Sequence, residues 1–479
     1  MKHKKSIRKF TGTWWLPSSG RQVAGELRLI RNRPFLHIHD ELHERSVGSD
    51  WPSNANVIHG VLSSRRKVTI YDAFYFQMGT SLVPGGPRSC RVSGKLVIFD
   101  AHLAAPLEQR FSAMRIHLRG FEKWTNFQAI LDDGFGKDAE ALESRIVCRQ
   151  TRPWVLANLD DITIQVVSSL EFRGAGQRRT ILHRGLISIE PTTPRDLDWC
   201  LKMLVMLERL FSLLYGNSIL ADDVRLIPVM RTDDESAFHI LNSPRLVARR
   251  KGKSSNPRFG ADIVLPLGCL SESLARKMAE CWLQHAQIAT DSLNLYFAQL
   301  ADPGSHLESR FLPLVQAFEV YWRECFPSEI EDTATFQSIR DTVVAAIPGT
   351  CSATLSRSMR DRLHYANEPS LKDKLLRLFG TLEEATVALL VKDRDQFAKA
   401  VKDTRNYLTH YSPSDNMRVL RRMDMHWATV KLKYLFQFIL LKQIGMPEEL
   451  LRQQITSHWR FSQEQRQVMS ANERGDRLT

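Results

Sequence analysis

The hydrophobic period of this chain changes once along its length, and that change restricts the possible folds more than any other feature. From residue 10 to about 191, short alternating or β-branched runs are separated by Gly, Pro, Asn and Asp. Val68-Thr69-Ile70-Tyr71 and Met114-Arg115-Ile116-His117-Leu118 are examples. A period of two suits half-buried strands, whose successive side chains point to opposite faces. Such runs at 25–30, 34–39, 57–62, 68–76, 94–99, 112–118, 162–170 and 185–189 predict a sandwich or barrel-like sheet. Pro194 then opens an apolar helix over 197–215, ended by Gly216-Asn217, and two more strands are expected near 224–230 and 237–241. From 271 onward the apolar spacing is helical, predicting helices over 271–300, 305–325, 333–346, 353–364, 370–379, 382–391, 393–409 and 415–444.

The fold class expected is therefore α+β. A β-rich domain with added helices spans 1–302, and an all-α bundle spans 303–460, the two parted at Asp302-Pro303-Gly304. The polar stretch 461–479 lacks a periodic apolar face and is expected as a disordered tail. At 479 residues the chain is long enough for two or three domains. No stretch reaches the ~18 apolar residues of a membrane span; the best, 434–446, is interrupted by Gln437, Lys442 and Gln443. The start, Met1-Lys2-His3-Lys4-Lys5, is basic, but no apolar segment follows it as in a signal peptide. A cytoplasmic protein with no membrane partner is expected. Seven scattered cysteines without a CxxC read as free thiols in a reducing compartment, not as a zinc or redox motif.

The formal net charge of +13 favours a polyanionic partner. Its densest exposed source is expected in 249–258, where Arg249, Arg250, Lys251, Lys253 and Arg258 would contact RNA phosphates, or else form a solvated loop. Several chemistries drop out. Ser93-Gly94-Lys95 lacks the earlier glycine of a phosphate loop, since Ser89 stands there. Gly174-Ala175-Gly176 lacks the third glycine of a dinucleotide fingerprint, replaced by Arg179. His37, His39 and His43 invite a metal reading, but no further ligand can be named, so no metal and no cofactor is expected.

The run Asp403-Thr404-Arg405-Asn406-Tyr407-Leu408-Thr409-His410-Tyr411 carries the sharper chemistry. One fixed cation and one titratable imidazole suffice to cut RNA without a metal. The bare pattern RxxxxH is weak, since about one or two chance matches are expected with 15 histidines. Three occur: Arg178 to His183, Arg405 to His410 and Arg421 to His426. Context selects the second. A helix runs up to it, Ser412-Pro413-Ser414-Asp415 stops that helix, and His410 falls at its C-terminus, where the dipole favours a cation. Asn406 is four residues before His410 on the same face, placed to orient the imidazole. Arg405 is displaced by about 140° around the axis, so two copies meeting across a symmetric interface would complete a site.

Arg405-Asn406-Tyr407-Leu408-Thr409-His410-Tyr411 closely resembles the motif of ApeA-like HEPN proteins. The stretch from Phe311 to Tyr321, with Glu319 as its acidic residue, resembles that family's first HEPN helix. Gly12-Thr13-Trp14-Trp15-Leu16-Pro17, Gly25-Glu26-Leu27 and Leu36-His37-Ile38-His39 are similar to its β-rich N-terminal domain. The resemblance implies an RNA-cleaving effector of antiphage defence by abortive infection, dimeric through the HEPN domain and working by transesterification. His410 then matches the catalytic histidine, Arg405 the phosphate-contacting arginine, Asn406 the polar residue after it and Glu319 the acid of the first helix. The resemblance also implies an N-terminal domain that restrains the nuclease until a phage component, such as a phage protein, triggers it. The substrate would be RNA, with tRNA one candidate. The competing expectation is a HEPN module that grips RNA or a nucleotide without cleaving, or a scaffold that recruits another effector.

Overall fold

A computed structural model of the chain describes residues 7–30, 33–42, 54–79, 89–103, 109–127, 129–135, 144–149, 151–174, 180–229, 245–248, 263–302, 304–327, 329–411 and 417–475. Six antiparallel strands close on themselves: β1 (Ile7–Trp15), β2 (Val23–Ile30), β3 (Arg33–Ile38), β4 (Asn54–Leu62), β5 (Lys67–Gly79) and β6 (Ser89–Phe99). The pairing runs β6-β3-β2-β1-β4-β5 and returns from β5 to β6. So small a barrel is filled by its own side chains, here Trp14, Leu27, Leu36, Ile58, Ile70, Val92 and their neighbours. Trp14 dictates the glycines around it. A Cβ on Gly60 would come within 2.3 Å of the Trp14 ring, and one on Gly25 within 3.0 Å.

The barrel does not end the sheet. One edge of β6 pairs with β3 through Cys90–Ser93 and with β14 (Arg245–Ala248) through Leu96–Phe99. From β14 the sheet continues through β13 (Ala221–Pro228), β7 (Phe111–Leu118), β12 (Thr180–Pro191), β11 (Ile162–Arg173) and β10 (Trp154–Leu159). A separate pair joins β8 (Ile130–Phe135) to β9 (Ser144–Cys148). The short helix α1 (Phe121–Thr125) lies on β12, where Gly185 leaves room for Phe121. On β7, an interior strand of this sheet, His117 is held between two carboxylates, Asp222 Oδ1 at 2.5 Å and Glu122 Oε1 at 2.8 Å.

Helices make up the rest: α2 (Leu197–Tyr215), α3 (Glu272–Ile288), α4 (Thr290–Ala301), α5 (Leu307–Cys325), α6 (Thr333–Ala345), α7 (Ala353–His364), α8 (Leu371–Gly380), α9 (Glu384–Ala388), α10 (Arg394–His410), α11 (Arg422–Gln443), α12 (Glu448–Ser457) and α13 (Trp459–Gly475). Helix α11 is buried on nearly all sides. Its Phe436 meets Tyr296 of α4 at 4.9 Å and Phe318 of α5 at 4.9 Å. Phe379 of α8 packs on Phe318 and on Phe397 of α10, which seats α10 on the bundle.

The α+β architecture expected from the sequence is present, with the sheet closed into a barrel in part. Several boundaries differ. The helix expected over 271–300 is two helices, broken at Ala289, and α11 starts at Arg422 instead of 415. The stretch expected as a disordered tail contains α13. Its Phe461 is buried against Tyr434 at 4.9 Å, and its Glu464 accepts from the Tyr434 hydroxyl at 2.7 Å and Lys433 Nζ at 3.3 Å. One ring, one carboxylate and Gln465, whose Nε2 donates to the Leu389 carbonyl at 2.9 Å, anchor that helix, so no apolar period betrays it. By mutual contact the chain forms two compact units, Met1–Arg209 with Ile219–Pro257, and Leu210–Ser218 with Arg258–Thr479. Helices α3 and α4, placed before the expected boundary at 302, thus group with the bundle. The strand expected at 237–241 lies outside the described residues. Among those described, no helix is long and apolar enough to cross a membrane.

Candidate active site

Helix α10 is fixed at both ends. Asp393 caps its start, its carboxylate accepting from the Gln396 N–H at 2.9 Å. His410 is its last helical residue. Tyr411 follows in the left-handed region (φ 51°), its N–H donating to the Tyr407 carbonyl at 2.7 Å. His410 is therefore presented to solvent at the carbonyl end of the helix.

Two buried polar residues just before the motif hold the returning chain. Asp403 accepts from the Arg418 N–H at 3.1 Å. The Thr404 hydroxyl donates to the Ala400 carbonyl at 2.7 Å and accepts from the Leu420 N–H at 2.9 Å. Residues 418–420 thus run back along α10, and the next residue, Arg421, lies over the Tyr407 ring at 5.8 Å. Buried polar groups are tolerated where they are paired, and here the pairing also sets the approach of the chain to the site.

Across from α10, Glu319 of α5 receives Arg405 Nη2 at 3.1 Å on Oε2 and 3.3 Å on Oε1. Arg405 Nη1 donates to Asn406 Oδ1 at 3.2 Å. The Glu319 side chain is 14% exposed and that of Arg405 29%, so the ion pair is half-buried and screened less than a surface pair. A guanidinium carries five N–H donors. Beyond Glu319 and Asn406, those of Arg405 have no partner among the described residues, which leaves donors for a phosphate oxygen.

The structure therefore brings together three of the residues singled out from the sequence, Arg405, Asn406 and Glu319, and puts His410 roughly 7.5 Å further along the same helix axis. Asn406, expected to orient the imidazole, has its Oδ1 on Arg405 and so positions the arginine directly. Asp403, Thr404 and Arg421 were not assigned roles by the spacing argument. The available signal was two polar residues on the buried side of an amphipathic helix.

The other sequence candidates lie elsewhere. Arg178 is outside the described residues, and His183 shares a hydrogen bond of 2.9 Å with Ser168 of the neighbouring strand. His426 sits half-buried on α11, its pKa lowered by burial and then by Arg310. The His37 and His39 rings stand 5.0 Å apart, with His43 outside the described residues. No group of three or more His, Cys, Asp or Glu suited to a metal occurs among those described. The segment holding Arg249, Arg250, Lys251, Lys253 and Arg258, and the helix stop at 412–415, also lie outside the described residues.

Comparison with protein families gives two matches. The family model described as ApeA N-terminal domain 1 matches residues 9–277, more than half of the chain, and the one described as Apea-like HEPN matches residues 312–450. Comparison with curated proteins and with solved structures found no match. The second match covers most of α5 and all of α10, and hence both halves of the Glu319–Arg405 pair. With the barrel inside the first match and the site inside the second, the chain belongs to the ApeA-like HEPN proteins.

Proposed function

We propose that this chain is an antiphage-defence endoribonuclease that cleaves RNA, tRNA among its candidates, by metal-independent transesterification and acts through abortive infection. The observation that carries this reading is the anchored guanidinium of Arg405, held by Glu319 and Asn406 on a helix that ends in the exposed imidazole of His410. The ribose 2′-OH attacks the adjacent phosphorus. The new P–O2′ bond forms as the P–O5′ bond breaks, leaving a 2′,3′-cyclic phosphate and a 5′-OH.

His410 exchanges the proton, as base toward the 2′-OH or as acid toward the leaving 5′-oxygen, a role worth roughly 10²–10⁴-fold. Arg405 stabilises the charge that builds on the non-bridging oxygens, and it does so in place, since Glu319 and Asn406 have already fixed the guanidinium. One helix supplies a single imidazole. A homodimer through the HEPN domain supplies the second and divides the acid and base roles between copies. DNA resists because it lacks the 2′-OH. The N-terminal domain restrains the nuclease until a phage component releases it, a reading that rests on family analogy.

The test is a ribonuclease assay on total RNA and tRNA in chelator, comparing wild type with Arg405→Ala and His410→Ala and identifying product ends. Cyclic-phosphate ends that vanish in both variants are expected. Binding of RNA by wild type with no cleavage, in the presence of phage lysate as trigger, would replace this reading with the non-catalytic binding module.

A further inference from the structure

The outer face of the barrel carries an arrangement the proposed nuclease chemistry does not use. Along β5, Ala73 and Tyr75 turn inward to the core while Phe74 and Phe76 turn outward, 42% and 47% exposed. Phe35 of β3 joins them, its ring 6.0 Å from Phe76, and Phe74 is 6.3 Å from Phe76. A strand places one large apolar ring in solvent often enough; three in contact on a single sheet face form a patch. Register explains the cluster. Phe74 and Phe35 both pair with Ser93 of β6, from opposite sides, so the two rings flank a small residue.

Basic residues continue the same rows. Phe35 is opposite Arg28 of β2, and Arg28 is opposite Lys9 of β1. Arg91 of β6 is opposite His37 of β3. Two carboxylates stand among them: Asp72 of β5, 3.8 Å from Lys95 Nζ of β6, and Glu26, which accepts from Arg28 and is held below its ordinary pKa by that bond, with Lys9 and His37 also acting on it. From β5 through β6, β3 and β2 to β1 the rings and cations follow the curved barrel wall over four strand spacings, roughly 19 Å of arc, and β4 closes the barrel between β1 and β5. The interior of the barrel is packed with side chains, so a ligand of the barrel has to lie on its outer wall.

We propose that this face binds single-stranded nucleic acid, with bases stacked on Phe74, Phe76 and Phe35 and phosphates held by Arg28, Lys9 and Arg91. Exposed rings beside cations are what an unpaired strand needs. Every base offers a π-face to the rings, and its backbone offers charge to the cations. Duplex ends its bases in stacked pairs and cannot use the rings. The charge favours a nucleic acid over an apolar protein segment, because the outward cations Lys9, Arg28, Arg91 and Lys95 outnumber the carboxylates Glu26 and Asp72 beside them.

The test uses the full chain carrying His410→Ala, so that cleavage and binding are separated and failure of the nuclease reading leaves this one intact. Fluorescence anisotropy is measured with 12-residue uridine RNA, thymidine DNA and a duplex of the same length. The pair Phe74→Ala/Phe76→Ala should weaken binding of both single strands about tenfold or more relative to its parent. Phe74→Trp/Phe76→Trp should keep or improve it. Arg91→Ala and Lys9→Ala should each lower the salt dependence of binding. Equal loss for RNA and DNA would assign the rings to bases in general; loss for RNA alone would assign the 2′-OH a part. Unchanged affinity in a Phe74→Ala/Phe76→Ala protein of unchanged melting temperature overturns the proposal. So does a change in sedimentation without a change in strand affinity, which would mark the face as a protein interface.

Discussion

Glu319 sets a negative charge against the guanidinium that the proposed chemistry needs positive, and the geometry reconciles the two. The carboxylate takes one side of the fork, Asn406 takes another donor, and the pairing fixes where the remaining donors point. Glu319→Ala should therefore lower single-turnover RNA cleavage by roughly 10–100-fold through lost positioning, with a smaller loss for Glu319→Gln, which keeps an acceptor. Arg405→Lys should be nearly as poor as Arg405→Ala, because an ammonium cannot bridge Glu319 and a phosphate with a planar fork. Cleavage by Glu319→Ala at the wild-type rate would show that the pair only packs α5 on α10. Little of this pair was legible from spacing. Its partners are 86 residues apart, and only the family resemblance joined them. His117 supplies a second residue-scale prediction. Burial alone would lower its pKa, but Asp222 and Glu122 overcome this and raise it to about 9. A raised folded pKa means the contribution is complete below the ordinary 6.5 and is lost as pH rises through 9. The Asp222 side chain is 38% exposed, so solvent screening holds the effect to on the order of 1–2 kcal/mol. The melting temperature of wild type should fall between pH 6.5 and 9 more steeply than that of His117→Asn, and parallel curves would remove His117 as the cause.

At the scale of elements, alternation identified most strands, because a half-buried strand must show its two faces in its sequence. Alternation does not say which strand is the neighbour. The closure of β5 onto β6, and the sharing of one β6 edge between β3 and β14, were therefore not readable. Apolar content likewise revealed α5 and α11, but α13 was missed because Phe461, Glu464 and Gln465 do the anchoring in a helix that is otherwise polar. That contrast makes α13 testable. Phe461 is fully buried between Tyr434 and Phe438, so Phe461→Ala should cost about 3–5 kcal/mol. Glu464→Gln should cost less in packing yet leave the buried Lys433 ammonium with a weaker partner, whose pKa burial already lowers. Urea denaturation of the three proteins measures both. A Phe461→Ala midpoint equal to that of wild type would return 459–475 to the status of a dispensable tail.

For the whole molecule, the question is where the chain can be cut. A fragment of 303–460 follows the sequence boundary, but three groups of contacts made by α11 lie outside it. Tyr296 of α4 stacks on Phe436, the Leu213 carbonyl accepts from Gln437 Nε2 at 2.8 Å, and Glu464 holds Lys433 and Tyr434. Removing them exposes apolar surface along the most buried helix and strands a buried amide and a buried ammonium, each costing on the order of kilocalories. A fragment of 258–479 keeps α3, α4 and α13 and loses only the Leu213 carbonyl among these. It should accordingly melt in one cooperative transition by circular dichroism, while 303–460 should show a broad one with dye-accessible apolar surface. The consequence reaches the functional assay. Silence of a 303–460 fragment toward RNA would report lost structure in α11, against which the site helices pack, and say nothing of Arg405 or His410. Cleavage by 258–479 exceeding that of the full chain would instead support restraint by the N-terminal unit. If 303–460 melts as sharply and at the same temperature as 258–479, then α3, α4 and α13 contribute nothing to the bundle and the boundary belongs at 302 after all.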